Sequence, residues 1–266
     1  MTPHATALSA YESLAHAYDD LTVDHEHDRW LELLERLAVE HGLAGRDVLD
    51  VACGTGKSFL PLVERGYRVV ARDLSPGMAA LAAAKAPGVE VGVADMRALD
   101  VGGRRFDLVT CLSDAINHLL DEASLRAAFR QAAAALRPGG LYVFDVNTVR
   151  AFREEFGTTW RRRLAGRTFV WEAVPLEPDG PGCLGDGVMH VAGAPGGDAD
   201  GPVAIRMQER HFPQRVVRDA LAAAGLECRA VRGLQPDGTL SPDVDELRDT
   251  KAIYVACHTS TREEVS

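Results

Sequence analysis

The sequence predicts an α/β protein built on a doubly wound, largely parallel sheet. Three observations carry that prediction. Apolar runs of strand length alternate with stretches of helical spacing from residue 46 to residue 147, the pattern of parallel strands joined by right-handed crossovers. The first run, Val48 to Val51, leads into Gly54-Thr-Gly56, where two missing β-carbons let the backbone turn tightly and lie close to a ligand. Acidic residues stand where successive strands stop, at Asp50, Asp73, Asp95 and Asp114. In such sheets the ligand sits beyond the carboxyl ends of the strands.

The elements follow in order. Ser9 to Leu21 is an amphipathic helix with Tyr11, Leu14, Ala15, Tyr18 and Leu21 on one face. A polar stretch holds His25 and His27; two histidines without a third well-spaced ligand read as surface residues, so no metal site is expected. Arg29 to His41 is a second helix with Trp30, Leu33, Leu34 and Leu37 on its stripe, closed by Gly42. Strands are expected over 46–52, 67–72, 89–94, 106–112 and 141–146. Helices fall between them at 57–65, at Pro76 to Ala86, and over 121–137, which stops at Pro138-Gly-Gly140. After Asp145-Val-Asn147 the rhythm changes. Residues 168–174, 188–191 and 203–208 read as antiparallel strands, broken by the Pro/Gly-rich stretches 178–187 and 193–202. A helix over 213–225 and strands over 227–234 and 252–258 close the chain, and the tail after His258 reads as loose. The domain boundaries are therefore a helical cap (1–44), a core (45–147), an insertion (148–212) and a C-terminal part (213–266) that completes the core sheet.

Composition narrows the function. A length of 266 residues with 46% hydrophobic content suits one large domain carrying an insertion. The formal net charge of −10, with lysine only at 57, 85 and 251, lacks the basic footprint of a nucleic-acid binder. No apolar run reaches the ~20 residues of a membrane span, and Met1 to Ala10 shows no secretory pattern. Five scattered cysteines without a C-x-x-C pair point to a reducing, cytoplasmic setting. Arg161-Arg-Arg163 reads either as a solvated run or as a local site for an anionic group.

The glycine turn admits three ligands. Gly56-Lys-Ser58 resembles the end of a phosphate loop, but Val51 stands where that loop needs glycine. A dinucleotide turn needs a third glycine where Phe59 stands. A methyl-donor site needs an acid, G-x-G and a second acid at the next strand end, which Asp50, Gly54, Gly56 and Asp73 supply. The turn alone leaves these open, together with a turn that holds nothing.

Taken in order, Val48-Leu-Asp-Val-Ala-Cys-Gly-Thr-Gly56, Val69-Val-Ala-Arg-Asp-Leu-Ser75, Ala94-Asp-Met96, Phe106-Asp-Leu-Val109 and Leu136-Arg-Pro-Gly-Gly-Leu141 resemble the motifs of class I S-adenosylmethionine-dependent methyltransferases. The resemblance is strong over 45–147 and weaker over 213–258. It implies a seven-stranded Rossmann-like sheet of order 3-2-1-4-5-7-6, with strand seven antiparallel. It implies S-adenosyl-L-methionine as cofactor and S-adenosyl-L-homocysteine as product. By this resemblance Ala52, Gly54 and Gly56 form the turn facing the methionine part, with Asp50 helping its amino group. Asp73 takes the ribose hydroxyls, Asp95 the adenine amino group and the Met96 N–H a ring nitrogen, while Leu74, Met78 and Leu112 sandwich the adenine. Within the class the chain is similar to small-molecule enzymes with a helical cap and a β insertion, such as sugar-amine N-methyltransferases of natural-product pathways. In those, aromatic or arginine side chains of the cap close over the cofactor; here Tyr11, Tyr18, Arg29 and Trp30 are placed to do so, Tyr18 and Trp30 serving equally as stripe residues of their helices.

The resemblance implies a small-molecule acceptor, methylated on N or O, with the insertion as its lid. A hydroxyl acceptor needs a base poised near neutral pH. His118 and Asp114, just after strand four, are the first candidates, and Glu209 and His211 the next. Two rivals remain: an NAD-dependent enzyme on a similar fold, and a cofactor-binding protein without catalysis. Whether the insertion covers the site or pairs with a second copy in a homodimer also stays open.

Overall fold

The computed structural model describes residues 3–193 and 202–259. Most of the second Pro/Gly-rich stretch, 194–201, and the expected loose tail from residue 260 lie outside the described residues.

Two helices lead the chain, α1 (Pro3–Leu21) and α2 (His27–Glu40). The core follows as β1 (Asp47–Val51), α3 (Leu60–Glu64), β2 (Arg68–Asp73), α4 (Pro76–Lys85), β3 (Glu90–Val93), β4 (Phe106–Cys111), α5 (Glu122–Ala135) and β5 (Leu136–Asn147). A short helix α6 (Val149–Ala151) runs into a wider turn over Phe152–Phe156. Then come β6 (Trp160–Leu164), β7 (Arg167–Glu177), β8 (Leu184–Ala192) and β9 (Val203–Arg210). The chain closes with α7 (Gln214–Ala223), β10 (Leu226–Leu234), β11 (Leu240–Ser241) and β12 (Lys251–His258).

The large sheet has the order β3-β2-β1-β4-β5-β12-β10-β11. Strands β1 to β5 pair in parallel, and β12 runs antiparallel to both β5 and β10. The expected order 3-2-1-4-5-7-6 is thus present, with β12 seventh and β10 sixth. The two-residue β11, unforeseen, adds an edge. Central strands are buried on both faces: Val48, Leu49, Val109 and Phe144 are fully covered, as helices on both sides of a parallel sheet require. Phe144 stacks on Tyr254 across β5 and β12, rings 4.9 Å apart and 3° from parallel.

Several boundaries differ from those expected, each for a local reason. The first core helix does not begin at Lys57. Gly54 and Gly56 hold φ of +53° and +95°, and the turn they make continues to Phe59 before α3 starts. Helix α5 ends at Ala135 rather than 137, because Arg137 precedes a proline and is pushed towards extended backbone. Pro138-Gly139-Gly140 therefore lies inside β5. A β-carbon on Gly140 would sit 3.0 Å from two backbone carbonyls, of Arg137 and Phe106.

The insertion forms its own antiparallel sheet, β6-β7-β8-β9. It has four strands where three were expected; β6 is the Arg161-Arg-Arg163 stretch, whose charge hid its strand character. Alternation places Trp160 and Arg162 on one face and exposed Arg161 and Arg163 on the other. The first glycine-rich break is shorter than expected because Gly185 and Gly187 belong to β8. A β-carbon on Gly185 would lie 2.8 Å from Phe156, and one on Gly187 would lie 2.4 Å from Trp171. Those glycines are the space through which two aromatic rings cross the strand. The inner face of this sheet packs Phe169, Trp171, Met189, Val191 and Ile205 onto Ala10, Leu14 and Ala17 of α1. Arg167, almost wholly buried, ties the sheet to α1 by donating to Asp20 at 2.5 Å. Helix α1 thus lies between the small sheet and the carboxyl ends of the large one.

Candidate active site

An open cleft of about 740 Å³, solvent-facing space included, lies beyond the carboxyl ends of β1, β2 and β4 and under α1. Tyr11, Tyr18, Ala52, Gly54, Asp73, Leu74, Met96, Leu112 and His118 line it. An adjoining recess reaches Ala94, Asp95 and Arg97 and shares Leu74 and Met96 with the cleft. On the other side, past Tyr11, Tyr18 and Ser113, opens a cavity of about 1240 Å³, solvent-facing space included, between α1 and the small sheet.

The cleft floor is shaped by carboxylates behind it. After β1 the chain turns through Ala52 at φ +58°. Asp50, fully buried, accepts hydroxyl hydrogen bonds from Ser58 at 2.5 Å and Thr110 at 2.6 Å. Burial pushes its carboxyl up to about 6, against those two bonds. Asp73 accepts the N–H of Gly54 and of Ser75, both at 2.8 Å. Burial raises its pKa while these bonds oppose the rise. A carboxylate has about four acceptor sites, so these bonds leave Asp73 capacity for further donors. A buried carboxylate with spare acceptor sites on a cleft, beside apolar walls from Leu74, Met96 and Leu112, fits a diol next to a planar base.

Lys57 resolves the phosphate-loop likeness. Its ammonium donates to the Thr22 hydroxyl at 2.9 Å and to the carbonyls of Asp19 and Thr22. The Thr55 hydroxyl donates to Asp19 at 2.6 Å. The lysine and threonine of the glycine turn therefore clasp the C-terminal end of α1 over the cleft.

The structure gathers most of the expected residues but not all. Tyr18, Ala52, Gly54, Asp73, Leu74, Met96 and Leu112 line the cleft, and Asp95 lines the recess, paired with Arg97 at 2.8 Å. Four stand elsewhere. Met78 is fully buried in the first turn of α4, its N–H donating to Ser75 Oγ. Asp50 lies beneath the turn. Gly56 bends the chain and leaves room for the Phe59 ring, 3.2 Å from where its β-carbon would be. Trp30 lines a separate hollow with Arg29, Pro236 and Asp237, so the second helix brings no indole to the cleft.

His118, at the end of a 3-10 turn over Ala115–His118, stands between the cleft and the large cavity. Its Nδ1 faces the Gln208 carbonyl at 3.2 Å and must carry the proton there, since a carbonyl only accepts. Nε2 then accepts from the Tyr11 hydroxyl at 2.6 Å and lies 3.5 Å from Glu209 Oε1. Burial lowers the His118 pKa, which keeps the ring neutral. Glu209 is 2% exposed, and burial together with nearby Asp114 drives its pKa well up. Asp114 behaves oppositely. Lys251 donates to it at 2.7 Å and, despite burial, holds it below the usual carboxylate range.

Lys251 also donates to Asp145 at 2.7 Å. Asp145 accepts the N–H groups of Ser113 and Asp114 at 2.7 and 2.9 Å. Both of those residues have positive φ, +58° and +57°, a conformation L residues hold only when surrounding structure fixes it. Asp145 and Lys251 were not singled out from sequence. The signal was there: a charged residue ending strand five, and one of only three lysines starting the last strand, which pairs with it antiparallel.

Comparisons with known proteins agree with this geometry. A family profile described as a methyltransferase domain matches residues 48–140. A putative methyltransferase of Geobacillus sp. (strain WCH70) is 32% identical over 175 residues, 62% of this chain and 69% of that protein. The dTDP-3-amino-3,6-dideoxy-alpha-D-glucopyranose N,N-dimethyltransferase of Streptomyces fradiae is 37% identical over 153 residues, covering 54% of this chain and only 60% of its own length. Among solved structures, the sugar N-methyltransferase from Streptoalloteichus sp ATCC 53650 superposes with TM-score 0.67 at 27% identity, over 90% of each chain. The SAM-bound amino pentose methyltransferase from Micromonospora echinaspora, involved in calicheamicin biosynthesis, superposes with TM-score 0.63 at 28% identity, over 86% of this chain and 92% of that one. With the acid-ended strands, the glycine turn and these relatives together, the chain belongs to the S-adenosylmethionine-dependent methyltransferases and takes S-adenosylmethionine as its cofactor.

Proposed function

We propose that the enzyme methylates an amino group of a small, sugar-like acceptor in secondary metabolism. The observation that carries the reading is buried Glu209 facing His118 where the cofactor cleft opens into the large cavity. Amino-sugar methyltransferases among the relatives support it. In this reading Asp73 receives the ribose hydroxyls, Asp95 and the Met96 N–H receive the adenine edge, and Leu74 and Leu112 cover its faces. The insertion walls the acceptor cavity. No described helix is long and apolar enough to cross a membrane, and the five cysteines are unpaired, which supports a cytoplasmic setting.

Bound S-adenosylmethionine supplies a methyl on a sulfonium, so the acceptor nitrogen's lone pair forms the new C–N bond as the C–S pair passes to sulfur. What remains for this chain is to hold the acceptor in line and manage one proton. Alignment is worth roughly 7–11 kcal/mol of such a barrier. An amine arrives as an ammonium and must lose a proton to expose its lone pair. Glu209, whose proton affinity is raised by burial, suits that step. His118 stays neutral and, with Tyr11, fixes the wall beside the nitrogen. Asp114, kept ionised by Lys251, attracts the cation rather than its proton.

The test is methyl transfer to a 3- or 4-amino-deoxyhexose against the same sugar with a hydroxyl there, read by mass spectrometry. Transfer to the amine is expected. Glu209→Gln should lower kcat by about 10²-fold or more while calorimetry shows unchanged S-adenosylhomocysteine binding. Equal methylation of the hydroxyl sugar, or an unchanged kcat in Glu209→Gln, refutes the reading.

A further inference from the structure

We propose that the acceptor is a cationic amine on an uncharged, partly apolar carrier, such as a glycoside, rather than an amino sugar carried on a nucleoside diphosphate. The inference rests on the N-methylation reading above and concerns what else the acceptor bears. It sets this enzyme apart from its relative that acts on a dTDP-linked sugar.

Four carboxylates line the large cavity: Asp114, Glu154, Glu155 and Glu209. Among the described residues only Lys251 and Arg162 bring it permanent positive charge. Both cations are already engaged. Lys251 is held between Asp114 and Asp145, each at 2.7 Å. Arg162 pairs with Glu155 at 2.9 Å and lies 4.3 Å over the Trp160 ring. A diphosphate entering here would lose its hydration with no unpaired lining cation to receive it, and it could reach Lys251 or Arg162 only by displacing the carboxylates they already hold. The stretch 194–201, outside the described residues, reads Ala-Pro-Gly-Gly-Asp-Ala-Asp-Gly, so it contributes no side-chain cation in any conformation.

The remaining wall suits a different carrier. Phe156 meets Trp171 edge to face at 5.7 Å. Both indole N–H groups are spent on backbone carbonyls: that of Trp160 on Glu155 at 3.0 Å and that of Trp171 on Phe156 at 3.1 Å. Their polar edges are thereby fixed, and Trp160, buried Trp171, Met189 and Met207 line the cavity, with Arg162 over one face of Trp160. Gly185 and Gly187 keep β8 from displacing those rings. Aromatic faces attract an ammonium and stack on a sugar's apolar side or an aryl group, and give a phosphate nothing.

Three acceptors with one amino-deoxyhexose test it: the 4-nitrophenyl glycoside, the dTDP-linked sugar, and the 4-nitrophenyl glycoside with hydroxyl in place of amine. The expected result is a kcat/KM for the amino glycoside at least about tenfold above that for the dTDP-linked amine, a difference of some 1.4 kcal/mol. Calorimetry on the S-adenosylhomocysteine complex should show the amino glycoside binding and dTDP not binding. A dTDP-linked amine used equally well or better overturns the inference and leaves N-methylation standing. Use of the hydroxy glycoside as well as the amino one, or of neither amine, defeats N-methylation itself. Glu155→Gln, which releases Arg162, should shift preference towards the dTDP-linked amine. An unchanged preference would mean that charge pairing is not what excludes the diphosphate, and would overturn the argument.

Discussion

Asp73→Asn tests how the cofactor is held, and its size follows from the bonds in place. The wild-type carboxylate already serves two backbone donors, Gly54 and Ser75, each at 2.8 Å. Its leftover lone pairs are assigned to the two ribose hydroxyls. A hydrogen bond to a charged acceptor contributes about 1.5–3 kcal/mol, roughly twice a neutral one. An amide keeps one oxygen and turns an NH₂ towards a second donor, so at least one backbone N–H and one hydroxyl lose their acceptor. A loss of about 3 kcal/mol follows, which raises the Kd for S-adenosylhomocysteine about 100-fold. Because Asp73 also braces the glycine turn, weaker binding alone would not separate contact from collapse. A ligand change does: the 2′-deoxy analogue should bind wild type about tenfold or more weaker than S-adenosylhomocysteine, yet bind Asp73→Asn about as well as the parent ligand. Calorimetry on both proteins with both ligands completes the cycle. If the deoxy analogue loses the same affinity in wild type and variant, Asp73 does not hold the ribose and its assignment fails.

Two further predictions rest on buried groups. Gly187→Ala would place a β-carbon 2.4 Å from the Trp171 ring and 2.6 Å from the Glu172 carbonyl; overpacking of that kind costs about 1–3 kcal/mol, read as a Tm lowered by roughly 2–4 °C for each kcal/mol at this chain length, and an unchanged Tm would show that the small sheet gives way freely. Asp50, with its pKa raised from 3.8 to about 6, favours the folded state most when protonated: that contribution is full below pH 4 and is lost as pH rises through 6, a swing of about 3 kcal/mol. Asp50→Asn lacks the swing, so the stability of wild type relative to the variant should fall between pH 4 and pH 7 in urea titrations, and a flat difference would refute the raised pKa.

The sheet was legible in the sequence because burial on both faces leaves continuous apolar runs, and because each strand end carried an acid that nothing in a core would select. Asp73 and Asp95, which line the cleft and its recess, stood out for that reason. What misled was residue type taken apart from register. Arg161-Arg-Arg163 reads as a charged loop until pairing with β7 shows alternate arginines facing opposite ways. Gly185 and Gly187 read as a break, although they are spacers for rings twenty-nine and sixteen residues earlier, Phe156 and Trp171.

Met78 and Trp30 were assigned to the cofactor by position in a motif or a cap, and packing placed both elsewhere. The first turn of α4 needs an apolar residue under it, and α2 leans against the hollow beside Pro236. Asp145 and Lys251, which sequence passed over, join residues it did name in one network whose members are far apart in the chain. Tyr11, His118 and Glu209 meet from a helix, a turn and an inserted strand, while Asp114, Asp145 and Lys251 meet from three other places. No spacing rule links them: Tyr11, His118 and Glu209 meet where α1 and β9 pack on the turn after β4, and Lys251 reaches Asp114 and Asp145 because β12 enters between β5 and β10. That late strand returns along β5 and sets Lys251 opposite Asn147. The charged cluster around Lys251 is therefore a product of chain topology, whereas the glycine turn is a product of local motif.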